Sequence, residues 1–195
     1  MKRVKQYSFA SIIFAFSDIS LANVEDWYMM WGFGIASHSH AAATENYMKV
    51  NEIVGSSRTQ NAIDMFGIYF PMGNDQTIVG FVVNGTYDSV QNSSALIQYN
   101  YYNYAISTLH FTGKEPGDGF FLRADVGKAS SVLVVDNYYE NSFKDIEGTW
   151  GIVTGIGYGL PITPAARILV GLNYTLRNIN KENEIATEFI VDLLW

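Results

Sequence analysis

From Glu184 to Trp195 the side chains alternate without a break. Ile185, Thr187, Phe189, Val191, Leu193 and Trp195 take one face, and Ala186, Glu188, Ile190, Asp192 and Leu194 take the other. A period of two is the mark of a β-strand. Left open to water, an apolar strand edge templates aggregation, whereas a sheet closed on itself has no edge. Within a bilayer, closure is also what lets strands satisfy their backbone groups. The segment predicts the seam strand of a membrane-spanning β-barrel.

Composition agrees with a chain that meets lipid. Charged residues are 16% of 195, below the roughly 25% of an average soluble domain. Aromatics reach 15%, with 13 Tyr, 12 Phe and 4 Trp. Past the N-terminus no apolar run approaches the roughly twenty residues of a helical span, so any crossing falls to strands. At the N-terminus, Lys2, Arg3 and Lys5 precede an apolar core from Phe9 to Phe16 and a stretch closing on Ser20-Leu21-Ala22. That is the pattern of a secretory signal peptide, residues 1–22, cut after Ala22 to leave a single barrel domain over 23–195. Its removal takes three positive charges and one negative, moving the formal net charge from -7 to about -9. Nucleic acid is a poor partner for a chain of that charge. Cys is absent, so stability must come from a hydrogen-bonded ladder and packing rather than disulfides.

Eight segments pattern as strands, at 26–38, 62–72, 77–88, 96–111, 119–134, 149–160, 166–177 and 185–195. Gly73 to Gln76, Gly113 to Asp118 and Pro161 to Ala165 read as tight turns, while 39–61, 89–95, 135–148 and 178–184 read as longer polar loops. Short turns on one side and long loops on the other suit an outer-membrane barrel with its termini at the periplasmic side. The expected fold is therefore all-β, an eight-stranded antiparallel up-and-down transmembrane β-barrel. Bulky residues go outward and glycine or charge goes inward, as a narrow interior requires. Outward aromatics then form two girdles. Trp27, Phe70, Phe120, Tyr158 and Trp195 make the periplasmic one, and Tyr87, Trp150 and Tyr174 the other. Lys128 falls on the outward face, near the upper interface with its amine snorkelling. The phase of the fourth strand, with Tyr99, Tyr101, Tyr102, Asn103 and Tyr104, stays open, and a bulge is expected there.

These features resemble the small eight-stranded outer-membrane barrels of Gram-negative bacteria, the outer-membrane protein A transmembrane domain and outer-membrane protein X type, over residues 23–195. Phe189-x-Val191-x-Leu193-x-Trp195 looks like the C-terminal signal read by the barrel assembly machinery, with Trp where that family usually ends in Phe. The resemblance implies residence in the bacterial outer membrane, passage by periplasmic chaperones and the assembly machinery, and contact with outer-membrane lipid and lipopolysaccharide.

Chemistry-bearing residues are few. Arg123, Asp125, Arg167, Arg177, Glu188 and Asp192 fall inward and balance in charge, which reads as a structural ion-pair network, with a narrow ion path as the sharper alternative. His38 and His40 share a face near the top of the first strand, beside Ser37 and Ser39 and ahead of Glu45; they are weak candidates for a general base or metal ligands, since no third ligand is clear. His110 maps to the opposite rim. In the first loop Tyr47, Val50, Ile53 and Val54 recur at helical spacing after Thr44, an expected N-cap. The third loop, Asp136 through Glu147, is acidic and aromatic and suits a surface ligand. No cofactor and no metal are expected. The reading is a non-enzymatic barrel for envelope integrity or adhesion. A lipid A deacylase or acyltransferase is the alternative, and a soluble lipocalin-type barrel is disfavoured by the uncharged outward face.

Overall fold

The computed structural model describes residues 27–52, 56–72, 74–92, 95–137 and 141–195. The expected signal peptide lies outside them. Eight strands, β1 (Tyr28–Ser39), β2 (Ser57–Met72), β3 (Asn74–Gln91), β4 (Ala95–Phe111), β5 (Gly119–Asn137), β6 (Asn141–Thr163), β7 (Ala166–Ile179) and β8 (Glu182–Leu194), are joined in chain order, with one helix, α1 (Ala42–Asn51), between β1 and β2. Every neighbouring pair is antiparallel, and β1 pairs with β8 from Met30↔Leu194 to Ser39↔Ile185, closing the barrel. Backbone bonds between Met29 and Trp195, at 2.7 and 3.0 Å, extend that seam to the end carrying Trp27 and Trp195. This end is called lower here, and the end carrying α1 upper.

Alternation in β8 appears as burial, with Ala186, Glu188, Ile190, Asp192 and Leu194 buried and Phe189 exposed. In β7, Arg167, Asn173, Thr175 and Arg177 point inward while Leu172 and Tyr174 point out. Glycines on β6 make room for inward side chains of the two neighbouring strands: a Cβ at Gly155 would strike the Asn173 amide of β7, and one at Gly157 the Phe121 ring of β5. Outside, Phe33, Ile35, Ile106, Leu122, Val126, Ile156 and Leu160 are exposed. Of the girdle residues, Phe70, Phe120 and Tyr158 lie exposed at the lower end, the last two ring-edge to ring-face at 5.0 Å, with Trp27 and Trp195 half-buried at the same end. Trp150 and Tyr174 are exposed and Tyr87 half-buried at the upper end. Lys128 is exposed beside Tyr104 on the outward face.

Several boundaries differ from the sequence reading, mostly at the upper end. There β2 starts at 57 rather than 62, β5 runs to 137 and β6 starts at 141. The expected third loop is thus a ladder continuing to Asp136↔Asn141, and Tyr138, Tyr139 and Glu140 lie outside the described residues. The expected loop 178–184 is a hairpin turning on Asn180 and Lys181, both at positive φ (51° and 68°), as a two-residue turn matched to strand twist requires. No irregularity interrupts β4, which keeps one register against both neighbours, with Tyr99 and Tyr101 in and Tyr102 and Tyr104 out. The bulges sit elsewhere. An extra residue, Met65, enters β2 between Asp64 and Phe66, and another enters β6 between Gly148 and Gly151. Helix α1 begins after Ala41 rather than after Thr44, and Ala41 supplies no side-chain cap; its carbonyl accepts the Glu45 amide at 3.0 Å. Met48, fully buried, anchors the helix, while Val50 is exposed and Ile53 and Val54 lie outside the described residues.

Candidate functional site

Three layers fill the interior. At the lower end an apolar cluster that includes Tyr28, Tyr69, Ile78, Leu109, Phe111 and Leu169 packs across the bore. Near the upper end a second cluster gathers Met48 of α1 with Val90, Ile97, Tyr99, Tyr101 and Ile179. Most of the charge lies between them and above.

In the middle layer Arg123 is bracketed by two carboxylates. It donates from Nη1 and Nη2 to Asp64, the second bond at 3.1 Å, and from Nε and Nη2 to Asp125 at 3.0 and 2.8 Å. Asp125 also accepts from Asn84 at 2.9 Å and from Ser107 at 2.5 Å, and Ser107 accepts from Tyr69. Every lone pair used here lies out of water, the condition under which a buried charge is tolerated. Asp64 was not among the residues read as inward. Strict alternation from outward Phe70 puts position 64 outward too, and the Met65 bulge reverses it.

The six charges expected to form one network are divided. Arg177 lies 3.8 Å from Glu188, which accepts from Thr175 at 2.6 Å, and Arg177 donates to Thr86 at 3.1 Å. Asp192 faces Asp64 across Gly32, which pairs with both. Arg167 belongs to neither group. It donates to Glu115 at 3.0 Å at the lower rim, with its guanidinium over the Tyr28 ring. Glu115 sits in the β4–β5 turn, so alternation gave no sign of this partner.

At the upper mouth His40 is held from both sides. Its Nε2 donates to Asp88 at 2.6 Å and its Nδ1 to Glu184 at 2.9 Å, with the Tyr101 hydroxyl 3.1 Å from Nδ1. Burial disfavours the charged imidazole, but the bonds to Asp88 and Glu184 outweigh it and raise its pKa to about 9. The His38 ring stacks on it with centroids 5.1 Å apart. Burial and then the neighbouring His40 charge lower the His38 pKa to about 3, so one ring is charged and the other neutral. Asp88 is the hub: it also accepts from Arg58 at 2.7 Å and Gln60 at 2.7 Å. Arg58 reaches on to Glu45 of α1 at 3.3 Å, and the Ala41 amide donates to Glu184 at 3.3 Å. Through Arg58 and Glu184, ion pairs and hydrogen bonds therefore tie the helix to the barrel mouth.

This geometry bears on the two histidines as base or metal ligands. Both nitrogens of His40 already face carboxylates, and an imidazolium neither takes up a proton nor binds a metal. His38 holds its proton too weakly to act as a base near neutral pH. Among the described residues no three His, Cys, Asp or Glu side chains are grouped to hold a metal. His110 lies exposed near the lower end, 2.9 Å from Thr77 Oγ1. Asp88, Glu184 and Arg58 were missed because each lay at or beyond a strand end that the sequence placed too low.

No protein-family model and no curated protein matches the chain. Solved structures do. The attachment invasion locus protein of Yersinia pestis, solved with the heparin analogue sucrose octasulfate, gives a TM-score of 0.56 at 6% identity, covering 87% of this chain and 98% of that one. Neisserial surface protein A gives 0.48 at 16% identity over 86% and 95% of the two chains. The N-terminal β-barrel domain of Pseudomonas aeruginosa OprF gives 0.47 at 10% over 88% and 98%. At 6% identity the likeness to the Yersinia protein is one of architecture, and together with the closed antiparallel sheet of eight strands it leads to a single statement: this chain has the fold of the small eight-stranded outer-membrane β-barrels.

Proposed function

We propose that the protein is an integral outer-membrane barrel with a structural or adhesive role, delivered by its signal peptide through the periplasmic chaperones and the barrel assembly machinery. The observation that carries this reading is an apolar outward belt between aromatic rims around a bore filled by side chains. Such a molecule holds its place in lipid and carries polar hairpins above it. Apolar clusters packed at both levels of the bore favour the filled interior over the ion path. The two histidines, one locked as a cation and one kept neutral, lend no support to lipid A chemistry. Likeness to an attachment protein is a likeness of fold and supplies no ligand. The test is cell fractionation with gel mobility before and after heating: a heat-modifiable band in the outer-membrane fraction is expected, and a soluble, heat-insensitive protein would overturn the reading.

A further inference from the structure

β1 and β2 pair from Tyr28↔Tyr69 to Ile35↔Asn61 and no further, although β1 continues to Ser39 and β2 begins at Ser57. Above that level β1 stays paired with β8 up to Ser39↔Ile185, and β2 with β3 down from Ser57↔Gln91. The wall is split between 36–39 and 57–60. A cavity of about 430 Å³ lies in the split, lined by Ala36, His38, Glu45, Arg58 and Gln60. Ser37, Ser39, Ser57 and Thr59, all exposed, lie on the unpaired stretches of the two strands. The outward apolar residues Ile35 and Ile63 stop just below, which puts the opening at the level where acyl chains give way to headgroups.

The lining sets the chemistry. Arg58 and Glu45 side chains are 19% and 25% exposed, and Arg58 is neutralised by Asp88 and Glu45. An anion therefore meets no net positive field. His38 Nε2 is buried without a hydrogen-bond partner among the described residues, a cost that an incoming polar group would remove. Guanidinium, carboxylate, amide and imidazole offer donors and acceptors together, in a cavity within the size range of small-ligand sites. Mixed donors and acceptors without net positive charge suit a polyhydroxyl group.

We propose that the split between β1 and β2 is a lateral cleft that binds a sugar unit, either in a glycolipid headgroup of the surrounding leaflet or in a free saccharide. The proposal rests on the membrane-barrel reading above.

The test uses the full mature chain in phospholipid nanodiscs, following the imidazole nitrogen resonances, which are few because the chain has 3 His. One arm includes lipopolysaccharide in the bilayer; the other adds delipidated core oligosaccharide to plain nanodiscs. A saturable shift of the His38 signals is expected. If it occurs only in the bilayer arm, the source is the headgroup; if in both, the sugar alone suffices. Ala36→Phe fills the cleft and should weaken binding at least tenfold. Because the chain has no Cys, the double variant Ser37→Cys/Thr59→Cys gives a second block, with oxidation abolishing the shift and reduction restoring it. No shift in either arm, or a shift unchanged by filling and clamping, would overturn the cleft. So would a shift produced by an extended peptide and by neither sugar, which would make the split a site of strand addition. A heat-modifiable band in the same samples keeps the membrane-barrel reading standing when the cleft fails, and its loss would mean that the barrel reading fell first.

Discussion

His38 and His40 lie in contact yet are shifted in opposite directions, because only His40 reaches the carboxylates of Asp88 and Glu184. A folded-state pKa near 9 against an ordinary 6.5 means that the His40 contribution to stability is complete below about pH 6.5 and is lost as pH rises through about 9. The thermal unfolding midpoint in detergent should therefore fall between pH 7 and pH 10, and His40→Gln should flatten that part of the profile. His38 acts the other way: its pKa is depressed to about 3, so it withdraws stability as pH falls below 6.5. Deeper in the bore, Asp125→Leu leaves Arg123 with half its partners and strips Ser107 and Asn84 of their acceptor. A loss of about 3–5 kcal/mol is expected, read as a lower unfolding midpoint in urea; unchanged resistance would show that the bracketing of Arg123 contributes little.

Among the elements, α1 is held, as far as its described side chains go, by the buried Met48, the Glu45–Arg58 ion pair and the Ala41–Glu184 hydrogen bond. Met48→Ala should weaken its docking by about 2–5 kcal/mol without unseating the strands, so limited trypsin digestion should cut at Lys49 or Arg58 while the heat-modifiable band persists. In the β7–β8 turn, Lys181 at φ 68° occupies the left-handed region, which costs a residue with a Cβ about 1–2 kcal/mol. Lys181→Gly should raise stability by up to about 1 kcal/mol, since glycine returns part of the gain as unfolded-state entropy. The strands were legible wherever one face meets lipid, because there each outward residue must be apolar and alternation is enforced locally. Above that belt both faces are wet, as at 57–61 and 141–149, and a strand there has the composition of a loop. The helix was legible as an element but not in its start, because Ala41 caps it through backbone alone. Bulges leave no trace in alternation except a change of phase. At Met65 that change cost the reading Asp64, one of the two carboxylates on Arg123.

On the scale of the whole molecule, apolar clusters pack inside the bore at two levels. Purified protein in planar bilayers should show no conductance steps, and regular steps would mean that the lower cluster opens. The unequal strands have a mechanical consequence. β6 has 23 residues, and those from 141 to 149 rise above Trp150; at about 3.3 Å per residue and a tilt near 40°, this lifts the upper end of the β5–β6 ladder, at 141, about 20 Å beyond the upper girdle. Phe143, 72% exposed, sits on that rise opposite Val134. The rim is therefore lopsided, a tall β5–β6 ladder on one side and a low notch at the β1–β2 split on the other. In the outer membrane proposed above, a large body approaching from the upper side would touch the tall ladder first, while the notch would stay within reach only of molecules small enough to slip in at its foot.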